Sequence, residues 1–443
     1  MTDNAVNYYV NEFRRLQSRL GNDYLAENRL EALEKFRNSG FPTRRMENWK
    51  YTDIKPITRK DFTIPDRLFE QVKTGYLDKA RLQGIECHEL VFINGIYSTH
   101  FSSIKTLPET VIIEDLSNTG NSRRKLVSEH IARYADPGQH SFAALNTAFM
   151  KHGALIYVPE NTVLDFPVNI IYLAGFNDKP TVIYPRNLII MAAGSEATVI
   201  ENYIGFDNAE YFTNTVTEVS MHAGSRLRHC KIQQESLASY HIGNFHISQG
   251  KNSQLESHSI SLGGSLVRND IHSQLQADGS TIRMNGLYLA GGRQHMDNHT
   301  RVDHQKPHTS SRENYRGVLN EHARGVFNGK VVVHKDAQKT DAEQSNANLL
   351  LSDDAEVDTK PELEIYANDV KCSHGATVGQ LDKDMMFYLR TRALDEVTAK
   401  NLLTYAFADE VIRHIDPVAL RNYLEQLIIS HIPDIGMIRK LAT

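Results

Sequence analysis

A cysteine and a histidine two residues apart, within residues 370–374, have the types and spacing to bind a metal ion. If this segment is an extended strand, Cys372 and His374 share one face, with Cα atoms about 7 Å apart. Thiolate and imidazole are both competent iron ligands, but an iron–sulfur cluster usually takes four. The pair therefore predicts half of a site that is completed across an interface. The alternative is that Val370 and Cys372 both point into a hydrophobic core.

A second candidate is a histidine-rich stretch that contains His295, His299, His304 and His308, at spacings of 4, 5 and 4 residues. Neutral imidazoles suit zinc or iron. Neighbouring glycines and Pro307 argue against one helix that presents all four. On a strand, the odd offset from His299 to His304 places these two on opposite faces. We therefore expect turn and core histidines, with a self-contained metal site as the alternative.

Motifs for nucleotide binding and covalent catalysis are absent from the sequence. Residues 325–331 imitate a phosphate loop, but only three residues separate Gly325 from Gly329, and Val331 stands where a hydroxyl residue is needed after Lys330. The valines that follow predict a strand instead of a helix N-terminus. No G-x-S-x-G elbow and no C-x-x-C pair occurs. Any ATP-driven step would therefore need a partner.

The three cysteines are widely separated, and their odd number argues against a disulfide framework. We expect Cys87 and Cys230 to be buried small hydrophobes.

Residues 1–20 are polar and charged, without the apolar core of an export signal. The longest apolar runs, such as residues 188–193, are too short to span a bilayer. These observations predict a cytoplasmic protein, or an organellar one after import.

Composition favours a soluble globular protein that binds neither nucleic acid nor membrane. Apolar residues make up 40% and charged residues 23%, and the formal net charge is −5. Nucleic-acid binding needs a basic face that displaces counterions, which this balance does not favour. A chain of 443 residues exceeds the usual single domain, although a solenoid can grow without thickening its core.

The middle of the chain, which must position these residues, is predicted to consist mainly of β-strands. In residues 267–276, polar residues alternate with residues that include Val, Ile and Leu. This alternation predicts a strand with one solvent-exposed face. Small-residue turns recur at Gly194, Gly224, Gly250 and Gly279, at spacings of 30, 26 and 29 residues. Such a period is typical of a solenoid, whose coils bury their inner faces against their neighbours. A propeller is the weaker alternative, because its blades need longer repeats.

Helical periods lie on both sides of this region. Apolar residues recur at about 3.6-residue spacing within residues 4–20 and again before Gly40, where a glycine and a following proline end the second helix. The period returns after residue 380, and Asp416 and Pro417 are expected as N-cap and N1 of a last helix. We therefore divide the chain into a mainly helical N-terminal domain (1–150), a parallel β-helix core (151–380) and a C-terminal helical domain (381–443).

Several long motifs, in order, resemble one known family. They are residues 371–382 (KCSHGATVGQLD), 386–392 (MFYLRTR), 346–366, 326–330 and 47–52 (ENWKYT). Together they resemble the SufB/SufD family of the SUF iron–sulfur cluster assembly machinery, and its SufD members in particular. The corresponding segment of SufB lacks the Cys-Ser-His-Gly run, so a SufB-like paralogue is the nearest alternative.

The resemblance implies a fold and a role. The fold would be a right-handed parallel β-helix between helical ends, in agreement with the solenoid prediction. The role would be a non-catalytic scaffold subunit that pairs with the paralogue SufB and docks the ABC-type ATPase SufC. A transient iron–sulfur cluster would form at the SufB–SufD interface, where the family histidine falls on His374 and a neighbouring family cysteine on Cys372. No permanently bound cofactor is implied, and a homodimer is the alternative state of the isolated chain.

The C-terminal helical unit is the implied SufC contact, and we assign that contact to four residues near its start, namely Phe387, Tyr388, Arg390 and Arg392. Two functions of other classes stay open. Parallel β-helices include carbohydrate-active enzymes, but these are usually secreted, and the missing export signal and the helical ends count against that class. A self-contained metal protein would use the histidines at 295–308.

Overall fold

The centre of the protein is a parallel β-solenoid. The computed structural model describes residues 2–20, 23–65, 67, 72, 74–175 and 179–432. Its helices are α1 (Thr2–Leu20), α2 (Ala26–Ser39), α3 (Lys55–Thr58), α4 (Thr74–Ala80), α5 (Asn121–His130), α6 (Ser141–Phe149), α7 (Lys383–Thr391), α8 (Glu396–Ile412) and α9 (Val418–His431), with 3₁₀ turns at Glu47–Trp49 and Leu116–Asn118.

The strands carry the chain through the solenoid. They are β1 (His88–Ile93), β2 (Ile96–Tyr97), β3 (Ile112–Asp115), β4 (Ala154–Val158), β5 (Val168–Ala174), β6 (Thr181–Ile183), β7 (Arg186–Met191), β8 (Glu196–Gly205), β9 (Tyr211–Met221), β10 (Arg226–Gln234), β11 (Tyr240–Gln249), β12 (Gln254–Ser261), β13 (Leu266–Leu275), β14 (Thr281–Ala290), β15 (His295–His304), β16 (Ser310–Leu319), β17 (Arg324–Val333), β18 (Asp341–Leu350), β19 (Glu356–Ile365) and β20 (Lys371–Gly379).

These strands form two long sheets, and the solenoid makes about 8 turns. Sheet I has the order β2-β1-β5-β8-β10-β12-β14-β16-β18-β20, and sheet II has the order β19-β17-β15-β13-β11-β9-β7-β4-β3, with β6 beside β9. The prediction of a mainly β protein with a parallel β-helix core and helical ends is confirmed. Strand β1 pairs in parallel with β5, so residues before 150 contribute to sheet I. The division at residues 150 and 380 stays a prediction.

The glycine-rich turns stack on one another, as the repeat predicted. Gly194, Gly224 and Gly279 have φ values of 67°, 68° and 71°, a region that glycine enters without steric cost. The Gly194 amide donates to the Ala223 carbonyl of the next coil at 2.9 Å. Each turn is therefore hydrogen-bonded to its neighbour, and the period is fixed by backbone geometry.

The face of residues 267–276 that was predicted to be solvent-exposed is largely covered. Ile271 and Leu275 lie in the apolar interior of the solenoid, as expected. Arg268 on the opposite face is only 2% exposed, because the 3₁₀ turn at Glu47–Trp49 lies over it. Its guanidinium lies 3.8 Å from the Trp49 ring centroid and donates to the Asn48 carbonyl at 2.7 Å. The ENWKYT motif is therefore a strap that holds the N-terminal region on sheet II.

The N-terminal helices cover the outer face of sheet II through an apolar cluster and a buried ion pair. The cluster joins α1, α2 and α6 to residues such as Phe212 and Ile242. The ion pair joins Arg186 and Glu218 at 2.5 Å, and both side chains are fully buried. Glu218 also accepts hydrogen bonds from the backbone amides of Ala132, Tyr134 and Ala135. One carboxylate therefore holds the loop before α6 on the solenoid.

The C-terminal helices pack on the other side of the solenoid. Ile412, Leu424 and Ile428 of α8 and α9 form one apolar cluster with Cys230 and Ile260 of sheet I. Helix α9 begins at Val418, with Pro417 at the N-cap, one residue later than predicted. Among the described helices, none has the length and apolar character needed to cross a membrane. Residues 433–443 of the predicted C-terminal domain lie outside the described residues.

We predict that Glu218→Ala lowers the free energy of unfolding by about 3–5 kcal/mol, because it leaves Arg186 as an unpaired buried cation. Urea unfolding followed by fluorescence of Trp49, the only tryptophan, measures the loss. The matched control is Glu196→Ala, which removes the partly exposed Arg228 pair and is expected to cost less than about 1 kcal/mol. Equal effects of the two substitutions would contradict the assigned role of Glu218.

Candidate functional site

The solenoid has an open end at its last coil. Strands β19 and β20 stand at the ends of sheets II and I, so each pairs with a described strand on one side only. Helices α8 and α9 fold back along sheet I instead of covering this end. Ile365, Tyr366 and Val378 are 42%, 62% and 48% exposed here. Unpaired strand edges with exposed apolar side chains are a template for pairing with another chain.

Cys372 and His374 lie on this terminal strand and share one face, as predicted. They pair in register with Ala342 and Gln344 of β18, both of which are buried. Cys372 is half-buried and packs with Val370 against the last apolar cluster of the solenoid, whereas His374 is exposed. Both predictions for this segment therefore hold in part. Cys372 packs against the edge of the core, and His374, on the same face of the strand, is exposed at the open end.

The chemistry available to the pair is metal ligation. Partial burial raises the pKa of the Cys372 thiol, so coordination would have to displace its proton. Among the described residues, no group of three or more His, Cys, Asp or Glu side chains already converges on a common metal position. One thiol and one imidazole leave about two positions of a four-coordinate centre to donors from outside the chain.

A column of polar side chains continues from His374 into the solenoid. Gln344 follows in β18 and Glu313 in β16, both buried and in register. Thr300 donates a hydrogen bond to Glu313 at 2.6 Å, and burial raises the pKa of this carboxyl to about 7. With strands about 4.8 Å apart, Glu313 lies about 10 Å below the open end. Sequence reasoning missed both residues, although they precede His374 by one and two coil periods.

The four histidines between 295 and 308 do not form a common site. His295 and His299 face outward on β15 and contact Thr52 and Asp297, each at 2.9 Å. His304 faces inward and bonds to two hydroxyl groups in the solenoid. His308 lies in a turn with φ of 56°. The interpretation as turn and core histidines holds for His308 and His304, whereas His295 and His299 lie on the outer face of β15; the geometry does not favour a metal site made of these four.

The remaining predicted residues have structural roles. Cys87 and Cys230 are buried, as expected, and burial raises the pKa of each thiol to about 12. Thiolates are the reactive form, so both groups are chemically inert. Lys330, in the imitation phosphate loop, lies in the middle of β17 and pairs with Glu364 at 2.6 Å. The strand predicted at this segment, in place of a helix N-terminus, is confirmed.

The assigned docking residues lie on and just after α7, and all four are exposed. Asp382 caps the helix by accepting hydrogen bonds from the amides of Asp384 and Met385. Phe387 and Tyr388 are 71% and 57% exposed, so the helix presents an apolar surface to its surroundings. Arg392 lies 5.2 Å from the Tyr388 ring centroid. Large apolar side chains beside arginines are typical of the centre of a protein interface.

The fold and the open end define a parallel β-solenoid protein with a cysteine and a histidine on its terminal strand and helical units on both outer faces. Residues 3–170 match the family model of the SufBD protein N-terminal region, and residues 174–407 match that of the SUF system FeS cluster assembly, SufBD core domain. The chain belongs to the SufBD family, and its role lies in iron–sulfur cluster assembly. The resemblance seen in the sequence motifs is confirmed.

Curated relatives agree with this assignment along most of the chain. An iron–sulfur cluster assembly SufBD family protein of Synechocystis is 32% identical over 87% of this chain and 86% of its own length. The iron–sulfur cluster assembly protein SufD of Escherichia coli is 31% identical over 90% and 92%. SufD of Bacillus subtilis is 26% identical over 91% and 93%.

We predict that Glu313 makes the stability of the protein depend on pH. Its raised pKa means that, between pH about 4.5 and about 7, the folded state holds a proton that the unfolded state releases. The free energy of unfolding therefore falls as the pH rises through this range. Glu313→Gln removes the buried charge, so its melting temperature relative to the parent is expected to be higher at pH 8 than at pH 5.

Calorimetric melting of both proteins at the two pH values checks this expectation. Glu343→Gln on the neighbouring strand is the control, since the Glu343 side chain is 61% exposed. If the melting temperatures of the parent and of Glu313→Gln differed by the same amount at pH 5 and at pH 8, the assignment of Glu313 as a buried carboxyl with a raised pKa would be wrong.

Proposed function

We propose that this protein is a scaffold subunit that pairs with a SufB paralogue through its open end and holds half of the ligands of a nascent iron–sulfur cluster. The observation that carries the proposal is the position of Cys372 and His374 on a terminal strand whose outer edge has no described partner. Donors placed at an edge are completed by whatever chain pairs with that edge.

Edge pairing suits a second solenoid as the partner. Main-chain hydrogen bonds along β19 and β20 would extend both sheets into the partner, and Ile365, Tyr366 and Val378 would be covered. Because a paralogous solenoid has the same coil spacing, its terminal strands would meet both edges at once. A homodimer uses the same surface, and it is the alternative state of the isolated chain.

The cluster is cargo in this scheme, and the protein contributes ligands. Cys372 would supply a thiolate and His374 an imidazole, with the partner's ligands filling the other positions. Two protein chains that share ligands can hold a cluster transiently, because separation of the interface removes half of the ligand set. The scaffold has no catalytic residues of its own and resides in the cytoplasm.

The energy source would be an ABC-type ATPase of the SufC kind that docks on α7. Helix α7 offers Phe387 and Tyr388 as exposed apolar contacts and Arg390 and Arg392 as charged contacts. ATP-driven closure of two such ATPases, one on each scaffold subunit, would shift the solenoids and expose their interface. Iron and sulfide then assemble between the two ligand sets.

We predict that His374→Ala abolishes cluster formation in the assembled complex and leaves the fold intact, since the side chain is exposed. Anaerobic reconstitution followed by absorption of the cluster and by iron and sulfide analysis measures the loss. His322→Ala is the matched control, because His322 is also an exposed solenoid histidine. A normal cluster yield with His374→Ala would refute the ligand role.

Phe387→Ser is expected to weaken ATPase docking at least about tenfold, as loss of an exposed aromatic anchor does at other interfaces. Anaerobic pull-down of the tagged chain with mass spectrometry identifies the partners, and titration calorimetry with the recovered ATPase gives the affinity. Leu237→Ser is the control, because Leu237 is 64% exposed at a site away from α7. Equal affinities of parent and Phe387→Ser would place the ATPase elsewhere.

A further inference from the structure

A buried glutamine lies directly beneath His374 in the interior of the solenoid. Gln344 of β18 is the register partner of His374, and Glu313 of β16 is the register partner of Gln344. Register partners in a parallel sheet point to the same side, so the three side chains form a column with steps of about 4.8 Å. His374 is exposed at the open end, whereas Gln344 and Glu313 are 1% and 3% exposed. The amide of Gln344 therefore lies between an imidazole and a carboxyl group.

This amide has no hydrogen-bond partner among the described residues. Both Nε2 and Oε1 of Gln344 are buried and unpaired, and so is Oε1 of Glu313. Asn346, the next inward residue of the same strand, is equally buried, but its amide makes three hydrogen bonds. Leaving a buried amide unpaired costs free energy, so nearly all such groups in folded proteins find a partner. Gln344 therefore marks a position where a further hydrogen-bonding group is expected.

The strand opposite Gln344 leaves room for its amide. Gly329 of β17 faces the same space, and a Cβ atom at this position would lie 2.1 Å from Gln344 Nε2 and 2.8 Å from Phe327 Cζ. The φ angle of Gly329 is outside the left-handed region, so space and not backbone conformation requires glycine here. The second glycine of the imitation phosphate loop is therefore the residue that admits the Gln344 side chain to the interior.

The position of Gly329 also gives the amide a direction. Strands β16 and β17 follow one another in the same coil, so the Nε2 end of the amide lies on the side of Glu313 and not on the side of the open end. Thr300 donates to Oε2 of Glu313, and Oε1 is left without a donor. An ionised carboxyl only accepts hydrogen bonds and an amide nitrogen only donates, so a small rotation pairs Nε2 with Oε1. The carbonyl of Gln344 then faces the residue above it, which is His374.

We propose that Gln344 is a positioning residue for His374, whose imidazole donates one N–H to the Gln344 carbonyl and keeps its other nitrogen for iron. Metal-binding histidines usually donate their second N–H to an acceptor, which fixes the tautomer and the orientation of the ring. Glu313 does not touch the imidazole and acts through the amide. The inference rests on the proposed ligand role of His374 and adds the residues that orient this ligand.

The hydrogen bond is tested in the full chain labelled with ¹⁵N-histidine, at pH 8. The signals of His374 are identified by their absence in His374→Ala, and the shifts of the two imidazole nitrogens give the fraction of each tautomer. We expect one tautomer to dominate in the parent. In Gln344→Met the populations are expected to approach those of an unrestrained imidazole, because methionine keeps the length of glutamine but lacks its carbonyl acceptor.

Two further variants separate the hydrogen bond from general damage to the fold. Gly329→Ala keeps the glutamine but displaces its amide, so it is expected to reduce the preference for one tautomer in the same way. It replaces Gln344→Met if circular dichroism shows that the latter is unfolded. Gln249→Met removes a glutamine that is also fully buried in the solenoid, several coils away, and is expected to leave the His374 tautomer unchanged.

The consequence for iron is measured by anaerobic reconstitution of the assembled complex. Gln344→Met is expected to slow cluster formation at least about tenfold, as loss of a hydrogen-bonding partner does at other metal-binding histidines. The proposal is overturned if the tautomer populations are the same in the parent and in the folded variants, or if cluster formation is unchanged when the populations do change. A normal cluster yield from His374→Ala would refute the ligand role of His374, whereas the tautomer preference stands or falls with Gln344 alone.

Discussion

The structure depends on one constraint, which is that every coil of a parallel solenoid must pair its strands with the coil before it and the coil after it. At the N-terminal end the constraint is met within the chain, because β2 and β3 pair antiparallel with β1 and β4 and terminate the two sheets. At the C-terminal end the described chain leaves β19 and β20 with free edges. Cys372 and His374 lie where this pairing is incomplete, and this position is the basis of the proposal that a partner chain completes the site.

The helical regions attach to the two outer faces in different ways. Helices α8 and α9 bury an apolar stripe against sheet I. The N-terminal region instead covers charged side chains of sheet II, namely the Arg186–Glu218 pair and Arg268 between Asp270 and Asp297. Such pairs add little net stability over apolar packing. A misplaced docking, however, would remove the hydrogen bonds that Glu218 accepts from the amides of Ala132, Tyr134 and Ala135 and the one that Arg268 donates to the Asn48 carbonyl. These contacts therefore select one position of the N-terminal helices, and that position creates a cavity beside His246.

Much of this organisation follows from patterns in the sequence. Turn glycines at intervals of about one coil, period-two strands and flanking 3.6-residue periods depend on neighbours close in the chain, so the solenoid and its helical ends were predictable. The shared face of Cys372 and His374 follows from strand geometry alone. The strap formed by the ENWKYT motif was visible only as a family motif, because Trp49 meets Arg268 on a coil more than two hundred residues later.

By itself, the sequence determined the type of fold, the elements and the shared strand face of residues 372 and 374, because these rest on local periods and backbone geometry. Only the tertiary structure decided that the polar face around Arg268 is buried, that Glu313 and Gln344 continue the column below His374, and that His140 packs against His246. The physical reason is that these contacts depend on the register between coils and on where the N-terminal helices dock. Both are settled by stacking and charge burial over the whole solenoid, which no short stretch of sequence encodes.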